Sequence, residues 1–163
     1  MRLDRLTSLV FCTLFALGTA NTGRAEDTLQ SACFDRDQTS DLELRFSALL
    51  VTADELTQMV VNDDSVPRRD LYKLTLGSFM FYRMQQHLWQ YGETFCESAL
   101  NRLHRDFGFL RQTYAAFAKG NPELEIARLE SPRAQELLAR IDSELAQLAG
   151  PIGQVKVRTK TPR

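Results

Sequence analysis

The strongest constraint on the fold is a row of apolar residues at helical spacing in the middle of the chain. Successive members are four or three residues apart, in the order Cys96, Leu100, Leu103, Phe107, Leu110, Tyr114 and Phe117. This spacing places all seven side chains on one side of an α-helix, so the segment predicts a helix with one buried face. Thr94 and Glu97 form a capping-box pattern, which indicates where the helix begins.

Two helices are predicted before this one. The first begins near Ser40 or Asp41, because a second apolar row follows at the same spacing: Leu42, Phe46, Leu49, Ala53, Leu56 and Val60. The next has Ser65 as its cap and Pro67 in its first turn, and it is predicted to run to Tyr91 and stop at Gly92.

The last part of the chain predicts one more long helix. Gly120 favours a helix end, residues 122–130 are predicted as a short helix, and Ser131-Pro132 opens a helix that ends at Gly150-Pro151. No segment shows the alternating pattern of a strand. Short connections between amphipathic helices predict an all-α fold, namely an antiparallel four-helix bundle.

The first 25 residues have the features of a secretory signal peptide. "MRLDR" is net positive, "LTSLVFCTLFALG" is an apolar run, and small residues precede a cleavage point after Ala25, or alternatively after Ala20. No later apolar run is long enough to cross a bilayer. We therefore expect residues 1–25 to be removed, residues 26–149 to form the bundle domain, and the exported protein to be periplasmic or secreted without spanning a membrane.

The cysteines predict one disulfide. Cys12 lies inside the predicted signal peptide, so cleavage leaves Cys33 and Cys96 in an oxidising compartment, where two cysteines allow a single intramolecular bond. That bond would tie an N-terminal arm to the third long helix. A redox-active pair is the alternative, but the Cys-x-x-Cys spacing is absent.

Charge is distributed unevenly along the chain. Without residues 1–25 the chain has 17 basic and 20 acidic side chains, which is net −3. Residues 150–163 hold four of the basic side chains and no acid, so residues 26–149 are net −7. The basic end is predicted to be a disordered tail, and an acidic, exported body argues against nucleic acid as a partner.

The stretch "FMFYRMQQHLWQYG", residues 79–92, allows two interpretations. Met80, Met84 and His87 share one side of the second helix, where they either pack in the core or bind copper as Cu(I), which accepts thioether and imidazole ligands. Haem is disfavoured, because Cys-x-x-Cys-His is absent and His104 is predicted to face water.

The second helix is apolar over most of its circumference, which predicts either enclosure by its neighbours or a second face covered by another molecule. Tyr72 and Phe79 fall on the same side as Arg83, and exposed aromatics among polar groups are typical of a binding patch.

Catalytic motifs such as G-x-S-x-G, H-E-x-x-H or a phosphate-binding glycine loop are absent from the sequence. We therefore predict a non-catalytic exported bundle that binds a protein partner, a cell-envelope component or a second copy of itself. A periplasmic sensory module for a small ligand or copper is the alternative, and a bundle enzyme that binds an anionic substrate with buried arginines is a third hypothesis.

The order "RMQQHLWQYG", then a helix ending "FLRQTYAAFAKGNPEL", then a last helix after a proline is similar in layout to one known family. It resembles the periplasmic helical sensor domain of type IV pili chemotaxis transducers over residues 77–148. The Gly-Arg-Gln-Arg-Met-Leu box of that family is missing here, so the resemblance implies a sensing role and no particular binding residue.

Overall fold

Each of the predicted apolar rows forms the inner side of a helix. The computed structural model describes residues 33–63, 66–89 and 96–158, and within them the helices are α1 Arg36–Val61, α2 Arg68–Leu88, α3 Cys96–Lys119 and α4 Pro132–Gln154. Each helix packs on the next in chain order, and α4 returns to pack on α1. The predicted antiparallel four-helix bundle is confirmed. The predicted signal peptide and the predicted cap Thr94 lie outside the described residues. The predicted cap Ser65 is wrong, because α2 begins at Arg68 with Pro67 as its N-cap rather than in its first turn.

The core is continuous through the bundle and contains side chains from all four helices. Phe46, Phe81, Leu103 and Leu138 are almost completely shielded from solvent. On α3 the row that began the sequence argument is buried as predicted, except for Leu100, which is partly buried against the same core. Burial of these apolar faces against one another is the main term that holds the four helices together.

The start of α1 and the end of α2 differ from the prediction. The helix α1 begins at Arg36 rather than near Ser40, because the side chain of Asp35 caps it by accepting a hydrogen bond from the Asp37 N–H at 3.0 Å. The cap lies before the first member of the apolar row, so the periodicity alone placed the start too late. The helix α2 ends at Leu88, with Trp89 as its C-cap. This is three residues before its predicted end at Tyr91.

The short helix predicted over residues 122–130 does not form. Asn121 and Ile126 exchange two backbone hydrogen bonds of 2.9 Å across a turn, and Gly120 and Glu125 have positive φ angles of 78° and 50°. The turn buries Ile126 and Leu129 against the core. A helix over residues 122–130 could not bury Leu124, Ile126 and Leu129 at once, since these three residues do not share a helical face.

The helix α4 continues through Pro151 to Gln154, past its predicted end at Gly150-Pro151. It does so because Ile152 and Val155 are buried and because a proline near a helix end leaves few hydrogen bonds unmade. The segment predicted as a basic tail therefore starts with helical residues. Beyond them the Arg158 N–H donates to the Cys33 carbonyl at 2.7 Å.

The predicted disulfide is confirmed. Cys33 and Cys96 are bonded across 63 positions of sequence and join the segment before α1 to the first residue of α3. Both side chains are buried, so the bond belongs to the core and ties the described arm, residues 33–35, to it.

Candidate functional site

The outward face of α2 carries a row of exposed aromatic side chains. Tyr72, Phe79, Tyr82 and Trp89, called here the aromatic row, are 69%, 52%, 45% and 53% exposed. Their positions fall within about 100° of the helix circumference and extend about 25 Å along its axis. Exposed aromatics occur singly on most surfaces, whereas four on one helix face form a patch.

Short-range contacts order the middle of the aromatic row. The rings of Phe79 and Tyr82 are tilted toward each other with centroids 6.3 Å apart, and Gln86 Nε2 donates to the Tyr82 hydroxyl at 2.8 Å. Tyr72 and Phe79 are exposed, as expected for the predicted patch. The sequence analysis did not include Tyr82 and Trp89 in the predicted patch, because the sequence alone does not show that their side of α2 faces solvent.

Arg83 lies beside the aromatic row and reaches a buried carboxylate on α3. Its Nη2 is 3.1 Å from Oδ2 of Asp106, a residue only 2% exposed, and its Nη1 is 3.9 Å from the sulfur of Met80. Arg105 Nε approaches the other oxygen of Asp106 at 3.4 Å. These contacts fix Arg83 at the edge of the aromatic row while leaving a third of its side chain in solvent.

His87 completes the group around Asp106. Its Nε2 is 3.1 Å from Oδ2 of Asp106, a geometry in which the neutral ring donates from Nε2. Burial lowers the pKa of His87 below its ordinary 6.5, the hydrogen bond and charge of Asp106 oppose that effect, and Arg102 and Arg83 reinforce it. The ring therefore stays neutral near pH 7 and Asp106 has Arg83 as its main counter-charge.

The side chains predicted as copper ligands lie on one buried side of α2, a placement that fits core packing as well as metal binding. Met80, Met84 and His87 are all buried on the inner side of α2, as core packing requires. One nitrogen of His87 is already used by Asp106. Within residues 33–63, 66–89 and 96–158, no three His, Cys, Asp or Glu side chains form a metal-binding group. Copper binding stays a prediction.

A cavity of about 250 Å³ lies at the other end of α2, where the turn before α4 meets the end of α1. Asp70 is at its wall, and its Oδ2 accepts a hydrogen bond from the Ala127 N–H at 3.3 Å. Its Oδ1 lies 3.7 Å from Arg69 Nε and 3.8 Å from Lys73 Nζ. Asp70 thus joins the first turn of α2 to the 121–131 turn through Oδ2, while among the described residues its buried Oδ1 has these two longer ion pairs and no hydrogen bond.

These observations define an all-α, disulfide-linked bundle whose outward chemistry is an aromatic row beside a buried carboxylate and its arginines. Comparison with protein-family models, with curated proteins and with solved structures finds no match to this chain. In the part of the chain that the structure describes, every helix is too short or too polar to cross a membrane.

Proposed function

We propose that this protein is an exported, non-catalytic bundle that binds another protein through the aromatic row of α2. The observation that supports the proposal is that four aromatic side chains, 45% to 69% exposed, share one face of one helix. Leaving this much aromatic surface in water is unfavourable, and a partner that covers it gains about 25 cal/mol for each Å² of apolar area buried.

The residue types also suit a protein interface. Tyrosine, tryptophan and arginine are the residues that most often dominate binding energy at such interfaces. Arg83 is held by Asp106, so it loses little conformational freedom when a partner binds. Tyr82 and Gln86 offer polar groups at the same surface, which allows hydrogen bonds between the apolar contacts.

Export is supported by two independent features. The first 25 residues have the charge and length pattern of a signal peptide, and the Cys33–Cys96 bond is of a kind that persists in oxidising compartments. We accordingly propose that the protein acts in the periplasm or outside the cell, where its partner would be a soluble or envelope protein.

The test is a pair of substitutions that each add one charge to an exposed apolar position. Phe79→Asp alters the aromatic row, whereas Leu44→Asp alters α1 at a residue that is 71% exposed. We expect affinity capture from an extract of the exported fraction to recover a partner with wild type and with Leu44→Asp. Recovery with Phe79→Asp should fall at least tenfold, because an interface core does not tolerate an unpaired charge.

Circular dichroism of both variants shows whether each has kept its helices. Equal recovery by folded Phe79→Asp and wild type would contradict the proposal. If a glycan or lipid is recovered in place of a protein, with the same dependence on Phe79, then the aromatic row is the binding surface but its partner is not a protein. A partner that proves to be the chain itself would identify self-association.

A further inference from the structure

The bundle has two halves of opposite charge, and the aromatic row lies on the basic half. Among their residues α2 has four basic and one acidic side chain and α3 has four and two, so this pair is net +5. The helix α1 has two basic and five acidic side chains and α4 has two and three, so that pair is net −4. The contrast is hidden in the net charge of −7 of residues 26–149, because the residues of this range outside the four helices add −8 to the +1 of the helices.

The basic half presents mainly basic side chains to solvent, although the charge of its buried acids is included in the net +5 and Arg69 is paired with Glu125 of the turn after α3 at 3.0 Å. Two of its three acids, Asp70 and Asp106, are 1% and 2% exposed, which leaves Glu97 as the acid that α2 and α3 present to solvent. The basic side chains are exposed or half-exposed. They are Arg68, Arg69, Lys73, Arg83, Arg102, Arg105, Arg111 and Lys119.

The arginines nearest the aromatic row connect it to α3. Arg83 and Arg105 contact the same carboxylate, Asp106, from the two helices, and the side chain of Arg105 is 68% exposed. Phe109, one turn further along α3, is 39% exposed. Aromatic and basic groups are therefore exposed on α3 as well as on α2, and the shared contact of Arg83 and Arg105 with Asp106 joins the two helices.

From this arrangement we infer that the partner contacts α2 and α3 with an acidic segment that also carries apolar side chains. The inference rests on the proposed function and names the chemistry of its partner. Complementary charge accelerates encounter and selects among partners, while the aromatic row supplies the buried area. A second copy docking through the same face is disfavoured, because a two-fold interface would set the two basic surfaces against each other.

A displayed library of random 12-residue peptides tests this chemistry without knowledge of the partner. Peptides are selected on oxidised wild-type protein, and the selected pool is then bound to three variants. Arg105→Glu changes the basic half, and Arg140→Glu makes the same change in net charge at an exposed position of α4. Phe79→Asp reports on the aromatic row.

We expect the selected peptides to be enriched in Asp and Glu together with apolar residues. Binding of the pool should fall about tenfold on Arg105→Glu and stay unchanged on Arg140→Glu. It should also weaken as salt rises from 50 to about 500 mM, because exposed charges are screened beyond a few ångströms at high ionic strength. Peptides without acidic enrichment, or equal losses on Arg105→Glu and Arg140→Glu, would overturn the inference.

The two proposals fail in different ways. A pool that is neutral or basic, but that loses binding on Phe79→Asp, would overturn the acidic partner and leave the aromatic row as the binding surface. A pool that binds Phe79→Asp and wild type equally would count against the proposed function itself. The emission of Trp89, the one tryptophan of the sequence, should shift to shorter wavelength as a bound peptide covers it.

Discussion

At the residue scale, the closest approach of two helices in the core depends on Gly77. A Cβ atom built on Gly77 of α2 would lie 2.8 Å from the hydroxyl oxygen and 3.1 Å from Cζ of Tyr114 on α3. Tyr114 is itself held by stacking on Phe81, with ring centroids 5.7 Å apart, so it has little room to withdraw. Glycine is thus required here by space rather than by backbone conformation.

We expect Gly77→Ala to lower the free energy of unfolding by about 1–3 kcal/mol, as overpacking does, despite the higher helix propensity of alanine. Gly108→Ala is the matched control, since a Cβ there would meet no atom within 4 Å in the middle of α3. That control should raise stability by about 0.5–1 kcal/mol. Urea unfolding measures both, and a stabilised Gly77→Ala would show that Tyr114 can move.

His87 should make stability depend on pH in a defined direction. Burial lowers the folded-state pKa below the ordinary 6.5, so the unfolded chain binds the proton more readily. The contribution of neutral His87 to the free energy of unfolding is therefore fully present above pH 6.5. It decreases as the pH falls from 6.5 toward the lowered folded-state pKa. Most carboxylates titrate below this range, so the interval from pH 7.5 to 5.5 reports chiefly on histidine.

The prediction is that wild type loses more stability than His87→Gln between pH 7.5 and 5.5. His104→Gln makes the same substitution at the exposed second histidine of the sequence, and comparing the two variants separates the effect of His87 from that of losing any histidine. In an NMR titration the ring of His87 should have its midpoint below 6.5. A midpoint above 6.5 would mean that the attraction of Asp106 outweighs the effect of burial and would reverse the expected pH dependence.

At the scale of single elements, the apolar rows were sufficient to predict α1 and α3 with their inner faces, because burial dominates where a helix packs, whereas α2 and α4 were predicted from their start and stop signals. The helix ends were less predictable, since they depend on local contacts such as the cap at Asp35 or the burial of Ile152. Asp106 was missed for a related reason. A charge beside an apolar row becomes informative only when its partners Arg83 and His87, from another helix, are known.

The disulfide is the element-scale feature with the largest expected effect on stability. Replacing both cysteines, Cys33→Ser with Cys96→Ser, should lower the free energy of unfolding by about 4 kcal/mol, if the bond acts mainly by restricting a 63-residue loop of the unfolded chain. Reduction of the wild-type protein should produce the same loss in urea unfolding. A loss below about 1 kcal/mol would mean that native packing around the bond, rather than loop closure, determines its contribution.

For the whole molecule, the division into a basic and an acidic half restricts how copies of the chain can associate. A two-fold dimer through α2 would bury the aromatic row but would bring Arg83 and Arg105 of both copies to one interface. The charge of the full sequence gave no sign of this, because it is −1 and averages the two halves. Assigning residues to helices, and helices to neighbours, was needed to reveal it.

We therefore predict that the protein without residues 1–25 is monomeric in sedimentation at about 50 mM salt, where like charges repel over distances of more than 10 Å. Near 1 M salt that range falls to about 3 Å, so any self-association through the aromatic row should appear there first and be absent from Phe79→Asp. A dimer already present at low salt and lost in Phe79→Asp would show that apolar burial outweighs the repulsion. The natural partner of the aromatic row would then be a second copy of the chain rather than an acidic protein.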